Sequence, residues 1–180
     1  MDGNVEKEPW DSSSEKAKTL EIDDFGTLGE VREMARMPRI AQNRKEAVEI
    51  LNQIARSGKM VSKEGLIVTL SGKSIDEIVS GQAMQHSFNT MAHWKAAANV
   101  DKLFSNAIEP WKFELHPGKN NENLKDRRYL YAPMEFMDCV LLVKLTVKEY
   151  IQKGLDKRLY SIEALNVDLW EKNEQRMADN

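Results

Sequence analysis

"CVLLVKLTVKEY", residues 139–150, decides the fold. Leu141, Val143, Leu145 and Val147 fall on one side of an extended chain, and Lys144, Thr146 and Lys148 on the other. A period of two marks a strand with one face in a core. Moving outward, "YLYAPM" (129–134) starts a strand before it, and "KRLYSIEALNV" (157–167) supplies one after it, with Tyr160 and Ile162. Further upstream, "WKFELH" (111–116) sets Trp111, Phe113 and Leu115 against Lys112, Glu114 and His116. The intervening "PGKNNENLKDRR" (117–128) is rich in turn residues and ends basic. None of these connections is long enough for a crossover helix, so the strands run antiparallel.

Ahead of the strands the period becomes helical. In "PRIAQNRKEAVEILNQIARSG" (38–58), Ile40, Ala47, Ile50, Leu51, Ile54 and Ala55 recur at helical spacing. Pro38 suits the first turn and Gly58 the C-terminal cap. A shorter helix is expected at "LGEVREMARM" (28–37), and "KMVSKEGLIVTL" (59–70) reads as a hairpin turning at Gly65. Ser74 and Glu77 have capping-box spacing, which sets Lys73 just before a helix. "HSFNTMAHWKAAANVDKLFSNA" (86–107) reads as a helix with Phe88, Met91 and Ala92 on one side and His86, Thr90, His93 and Ala97 on the other. Asn99 is placed to cap a continuation that buries Val100, Leu103, Phe104 and Ala107. The expected class is α+β, with N-terminal helices packed on a roughly four-stranded antiparallel sheet and a small extra hairpin.

Residues 1–27 are acidic, polar and without apolar period, and are expected to form a flexible arm before a single domain, 28–167, and a polar tail, 168–180. At 180 residues and 41% hydrophobic content, one packed domain is the natural reading. The net charge of −3 is unevenly spread: residues 1–37 hold five Lys/Arg against ten Asp/Glu, while residues 38–167 hold 19 against 15. A mildly basic body between acidic ends is compatible with a polyanionic ligand. The longest apolar run, "VLLV" (140–143), is too short to cross a bilayer and nothing resembles an export signal, so a cytoplasmic protein is expected. The single Cys139 excludes an internal disulfide framework and a thiolate metal site, and reads as a small core residue.

The outward residues Lys112, Glu114, His116, Lys144, Thr146 and Lys148 are expected to share one sheet face. Tyr129 or Tyr131 joins them, with Arg127 and Arg128 from the loop. An imidazole for proton transfer, cations for phosphate and hydroxyl donors are what a metal-independent ribonuclease requires. The alternative is a set of ordinary solvated strand residues. His86 and His93 stand seven residues apart, about 10 Å along a helix axis. That is too far for one metal, since a helical zinc pair is spaced by about four residues. No metal site and no cofactor is expected; His93, and after it His86, is a second proton carrier if that helix lies over the cleft.

From Lys59 to about Val167 the chain carries "GLIVTLSGKS", "NVDKLFSNA", "ELHP", "YLYAPM" and "VLLVKLTVKE" in order. In these elements it resembles a domain of large polyvalent proteins of phages and mobile elements, grouped with the barnase–EndoU–colicin–RelE-like nuclease fold. The resemblance implies helices on one face of a four-stranded antiparallel sheet, the other face left as the active cleft, and RNA cleavage. It carries over to Lys73 in "GKS", His116 in "LHP", and Tyr129 and Tyr131 in "YLYAP". Where related sequences have a glycine-containing turn before the long strand, this chain has "EFMDC" (135–139). The expectation is a toxin-type or mobile-element endoribonuclease. His116 is its general acid or base, Lys73, Lys144 or Lys148 stabilise the phosphate, and Tyr131 and Thr146 position it. Lys112, Arg127, Arg128 and Tyr129 line the substrate. RNA and an immunity or inhibitor protein are the expected partners. The competing expectation is a non-catalytic protein- or nucleic-acid-binding module of a phage or mobile-element polyprotein.

Overall fold

The computed structural model describes residues 20–110, 124–150 and 157–165. Its helices are α1 (Leu28–Ala35), α2 (Arg44–Arg56), α3 (Gly72–Ile78), α4 (Gly81–Gln85), α5 (Thr90–Ala98) and α6 (Val100–Asn106). Its strands are β1 (Met60–Val61), β2 (Ile67–Val68), β3 (Leu124–Phe136), β4 (Cys139–Tyr150) and β5 (Lys157–Leu165). The class is α+β. The short strands β1 and β2 form an antiparallel hairpin, turning at Gly65 (φ 91°), and β3, β4 and β5 form an antiparallel sheet in that order.

The expected strand at 111–116 lies outside the described residues. Just before it, Ile108 bridges Tyr131 on the outer edge of β3, through backbone bonds of 3.0 and 2.8 Å in both directions. Tyr131 therefore turns its backbone groups away from β4. Pro133, two residues along, has the same phase, and on that side its missing N–H breaks no β3–β4 bond.

The alternation in β4 sorts the sheet into two faces. Leu141, Val143, Leu145 and Val147, with Leu130, Ala132 and Met134 of β3, join the main core with residues of α2, α3, α5 and α6. In α2, Asn43 caps the first turn by accepting from the Glu46 N–H (2.9 Å), and Ala47, Leu51 and Ile54 are buried. The helix does not start at Pro38: Asn43 is the first residue that can cap it, and Ile40 is left outside, 75% exposed. Gly58 takes the left-handed cap conformation (φ 105°). In α3, Ser71 rather than Ser74 is the cap, accepting from the Ser74 N–H (3.1 Å), so Lys73 lies within the first turn.

The 86–107 stretch is also corrected. It is not one helix, because Asn89 accepts from the N–H groups of Met91 and Ala92 and restarts the chain at Thr90. A helical phase counted from His86 does not survive that break. Phe88 and Met91 are exposed while Ala92 is buried, and His86 and Thr90 are exposed while His93 and Ala97 are buried, so neither expected grouping holds.

The larger correction concerns the face expected to remain open. Leu20, Ile22 and Phe25, with Val31 and Ala35 of α1, are buried in a second cluster with Tyr129, Tyr131, Val140 and Leu142. Residues 20–27, expected within the flexible arm, are thus part of the packed body; residues 1–19 and 166–180 lie outside the described residues. A capping box starts α1: the Glu30 N–H bonds to Thr27 Oγ1 (3.2 Å) and the Thr27 N–H to Glu30 Oε1 (3.1 Å). The sheet is sandwiched between helical layers on both sides.

Candidate functional site

Register brings most of the expected residues together. On the face toward α1, Tyr131 stands opposite Lys144, Tyr129 opposite Thr146, and Arg127 opposite Lys148. On the other side of β4, Glu163 stands opposite Lys144, Ser161 opposite Thr146, and Arg158 opposite Lys148. The described side chains of β3 and β4 thus form three cross-strand pairs, Tyr131–Lys144, Tyr129–Thr146 and Arg127–Lys148, running from aromatic to cationic.

Tyr129 and Tyr131, 1% and 0% exposed, lie beneath the cover formed by residues 20–35, and Lys144 is 0% exposed as well. The Lys144 Nζ lies 4.7 Å from the centre of the Tyr129 ring, the diagonal contact of an antiparallel pair. A cation over an aromatic face recovers part of the hydration an ammonium loses on burial. Thr146 and Lys148 are buried as well. Burial pushes the Lys148 amine down to about 8, Arg127 and Lys73 add to the depression, and Glu77 opposes it. The exposed Lys73 and half-buried Arg127 are thus close enough for their charge to reach Lys148.

Three expected residues do not join this face. Arg128, next to Arg127, points to the opposite side. There Glu109 holds it through Nε–Oε2 (2.9 Å) and Nη2–Oε1 (2.6 Å), beside a pocket of about 300 Å³ lined also by Ser62, Glu64, Gly65, Leu66 and Leu130. His93 lies in α5, on the main-core side of the sheet. Its Nε2–H donates to the Ile78 carbonyl (2.6 Å) and its Nδ1 accepts from the Ser87 hydroxyl (2.7 Å). A carbonyl can only accept, which fixes this tautomer. Burial holds the imidazole below its ordinary pKa, and the bond to Ile78 opposes this only in part. His93 is a structural histidine that joins α5 to the end of α3, and the role of second proton carrier is withdrawn from it. His86 is exposed at the C-terminal cap of α4, on a different helix. Lys112 and His116 lie outside the described residues. Among the described residues no group of three or more His, Cys, Asp or Glu is placed to hold a metal ion, and no helix is long and apolar enough to cross a membrane.

Sequence reasoning missed a second set of residues, at the start of α6. Asn99, fully buried, accepts from the Arg39 N–H (3.0 Å) and donates to the Arg39 carbonyl (2.9 Å) and the Lys95 carbonyl (2.8 Å). Asp101 takes the Arg39 guanidinium in two bonds of 2.6 and 3.0 Å. Lys102 Nζ donates to the Arg36 carbonyl, and Asn106 Nδ2 to the Met34 carbonyl (3.3 Å). The polar residues of "NVDKLFSN" therefore grip the chain from Met34 to Arg39, where it passes from α1 on one face to α2 on the other. The polar residues Asn99, Asp101, Lys102 and Asn106, interleaved with the buried Val100, Leu103 and Phe104, were the available signal.

The family model for large polyvalent protein-associated domain 3 matches residues 38–160. No curated protein and no solved structure shows a significant match to the chain. The matched span begins one residue before the Arg39 anchor and ends within β5, so it holds the whole Tyr–Lys face but not the cover over it. By this match over more than half its length, the chain belongs to the large polyvalent protein-associated domain 3 family.

Proposed function

We propose that this domain is a metal-independent endoribonuclease of phage or mobile-element type, acting on RNA in the cytoplasm through the Tyr129–Tyr131–Lys144–Lys148 face. The observation that carries this reading is the register that sets Tyr131 opposite Lys144, Tyr129 opposite Thr146 and Arg127 opposite Lys148, so that hydroxyls and cations share one side of the sheet. Arg127 and Lys148 offer charge to a phosphodiester, and Lys73 stands within charge range of the same end. Lys148, with an amine pKa near 8, is suited to exchange a proton close to neutral pH as well as to neutralise charge. Tyr131, Tyr129 and Thr146 offer hydroxyls to position the phosphate, and Lys144 stabilises the charge developing on it.

In this reading His116 is the principal acid or base for the ribose 2′-hydroxyl, with Lys112 beside it. The products are a 2′,3′-cyclic phosphate and a 5′-hydroxyl. RNA cleavage in EDTA, lost in His116→Ala and Lys148→Ala with unchanged melting temperatures, tests it. A second reading, a non-catalytic binding module, is favoured by the closure of the face under residues 20–35. It is the one to adopt if RNA stays intact while the protein binds a partner through this face.

A further inference from the structure

We propose that residues 20–35 form a hinged cover, latched over the Tyr129–Tyr131–Lys144 face by Lys102 and Asn106, that opens as a unit without disturbing the main core. That opening admits RNA is the only part resting on the function proposed above.

Four observations converge on this. The apolar contacts of the cover form a cluster of their own, with Leu20, Ile22, Phe25, Val31 and Ala35 on one side and Tyr129, Tyr131, Val140 and Leu142 on the other. The main core, from Ala41 to Val147, shares none of these residues. Separate clusters are where native proteins open locally, at a lower free energy than global unfolding.

The material under the cover is wrong for a purely structural interface. Tyr129 and Tyr131 are buried there, and Lys144, fully buried on the same side of the sheet, has its Nζ 4.7 Å from the centre of the Tyr129 ring. A lysine and two tyrosines on a sealed face make chemical sense if the face is not always sealed.

The attachment is graded along the chain. At Arg39, backbone and guanidinium together make five hydrogen bonds to Ala98, Asn99 and Asp101. Toward α1 the chain is held by single bonds from Lys102 to the Arg36 carbonyl and from Asn106 to the Met34 carbonyl. A firm anchor at Arg39 with two releasable bonds ahead of it is the arrangement of a hinge and a latch. The family match begins at residue 38, beside this anchor, and leaves the cover outside.

Charge supplies the fourth observation. Residues 20–35 carry Glu21, Asp23, Asp24, Glu30 and Glu33 against the single Arg32. An acidic segment over a face that also carries Arg127 and Lys148 resembles, in charge, the polyanion that would replace it.

Hydrogen exchange on the full chain tests the cover directly. Amides of residues 20–35 are expected to exchange together, at least about tenfold faster than those of α2 and α5, the equivalent of about 1.4 kcal/mol in opening free energy. Phe25→Asp, and separately Lys102→Ala with Asn106→Ala, should speed that group by about tenfold or more and leave α2 and α5 unchanged. The latch variant alters no residue of the buried cluster, so it decides the question even if Phe25→Asp fails to fold. Exchange of residues 20–35 only in step with α2 and α5, in wild type and latch variant alike, overturns the proposal. A single-stranded RNA oligonucleotide added to the same samples separates the two ideas. If the cover opens as a unit but the open variants bind RNA no better than wild type, the cover stands and the ribonuclease reading fails.

Discussion

Replacing Asn99 by alanine removes one acceptor and two donations from a fully buried site, and leaves the Arg39 N–H, the Arg39 carbonyl and the Lys95 carbonyl without those partners. At about 0.5–1.5 kcal/mol for each hydrogen bond, the loss comes to roughly 2–4 kcal/mol. Nothing at the site offsets it: Asn99 makes no side-chain cap bond, so alanine does not trade a cap for better helix propensity. With a urea slope of roughly 2 kcal/mol per molar, the unfolding midpoint should fall by about 1–2 M with the slope unchanged. Asn99→Asp keeps an acceptor for the Arg39 N–H, loses both donations and buries a charge, so it should cost at least as much. The Arg39–Asp101 ion pair is a useful contrast. Its two side chains are 38% and 35% exposed, and Asp101→Ala should cost about 1 kcal/mol or less. Because Asn99 binds the Arg39 backbone and Asp101 binds its guanidinium, Asn99→Ala should cost as much in an Arg39→Ala background as in wild type. A loss below about 0.5 kcal/mol for Asn99→Ala, within the range of an ordinary surface change, refutes the anchor.

Three other outcomes follow from single residues. His93 is held neutral in the folded state, so below about pH 6.5 the unfolded chain takes up a proton that the native chain refuses. Stability should therefore fall with pH below that point at up to about 1.4 kcal/mol per unit, and His93→Gln should flatten the slope of urea midpoints between pH 5 and 7. Lys144→Met should abolish any RNA cleavage while the chain still unfolds cooperatively in urea; cleavage at the wild-type rate in that variant would remove the lysine from the site. Met137 occupies the first position of the two-residue β3–β4 turn with φ 56°, where glycine is favoured. Met137→Gly should stabilise the protein by about 1 kcal/mol, read as a rise in the urea midpoint.

The pattern of the sheet was legible from residues 129–150 because a period of two on β-branched and leucine residues has one physical solution. It put Tyr131, Tyr129, Lys144, Thr146 and Lys148 on one side, as the register does, but wrongly added Arg128 to them. What alternation does not carry is what lies over each face. Leu20, Ile22 and Phe25 sit in an acidic stretch with no regular period, and only the Thr27–Glu30 capping box hinted at ordered structure there. A lysine alternating with leucine looks the same on a wet face and beneath a cover. The histidines failed for another reason. The grouping of His93 with His86 and Thr90 was counted through Ser87–Asn89, and the Asn89 cap resets that count. The anchor motif was visible as a resemblance, while its purpose depends on contacts some 60 residues away, to Arg39 and Met34.

The central claim is that the Tyr–Lys face acts on RNA once residues 20–35 leave it. The most direct measurement is the rate of RNA cleavage in EDTA, with product ends mapped, for the wild-type chain, the Lys102→Ala/Asn106→Ala latch variant, and that variant carrying Lys148→Ala. The account predicts fragments ending in 2′,3′-cyclic phosphate, released faster by the latch variant than by wild type and not at all once Lys148 is gone. Intact RNA in all three samples, with residues 20–35 shown to open in the latch variant, would contradict it.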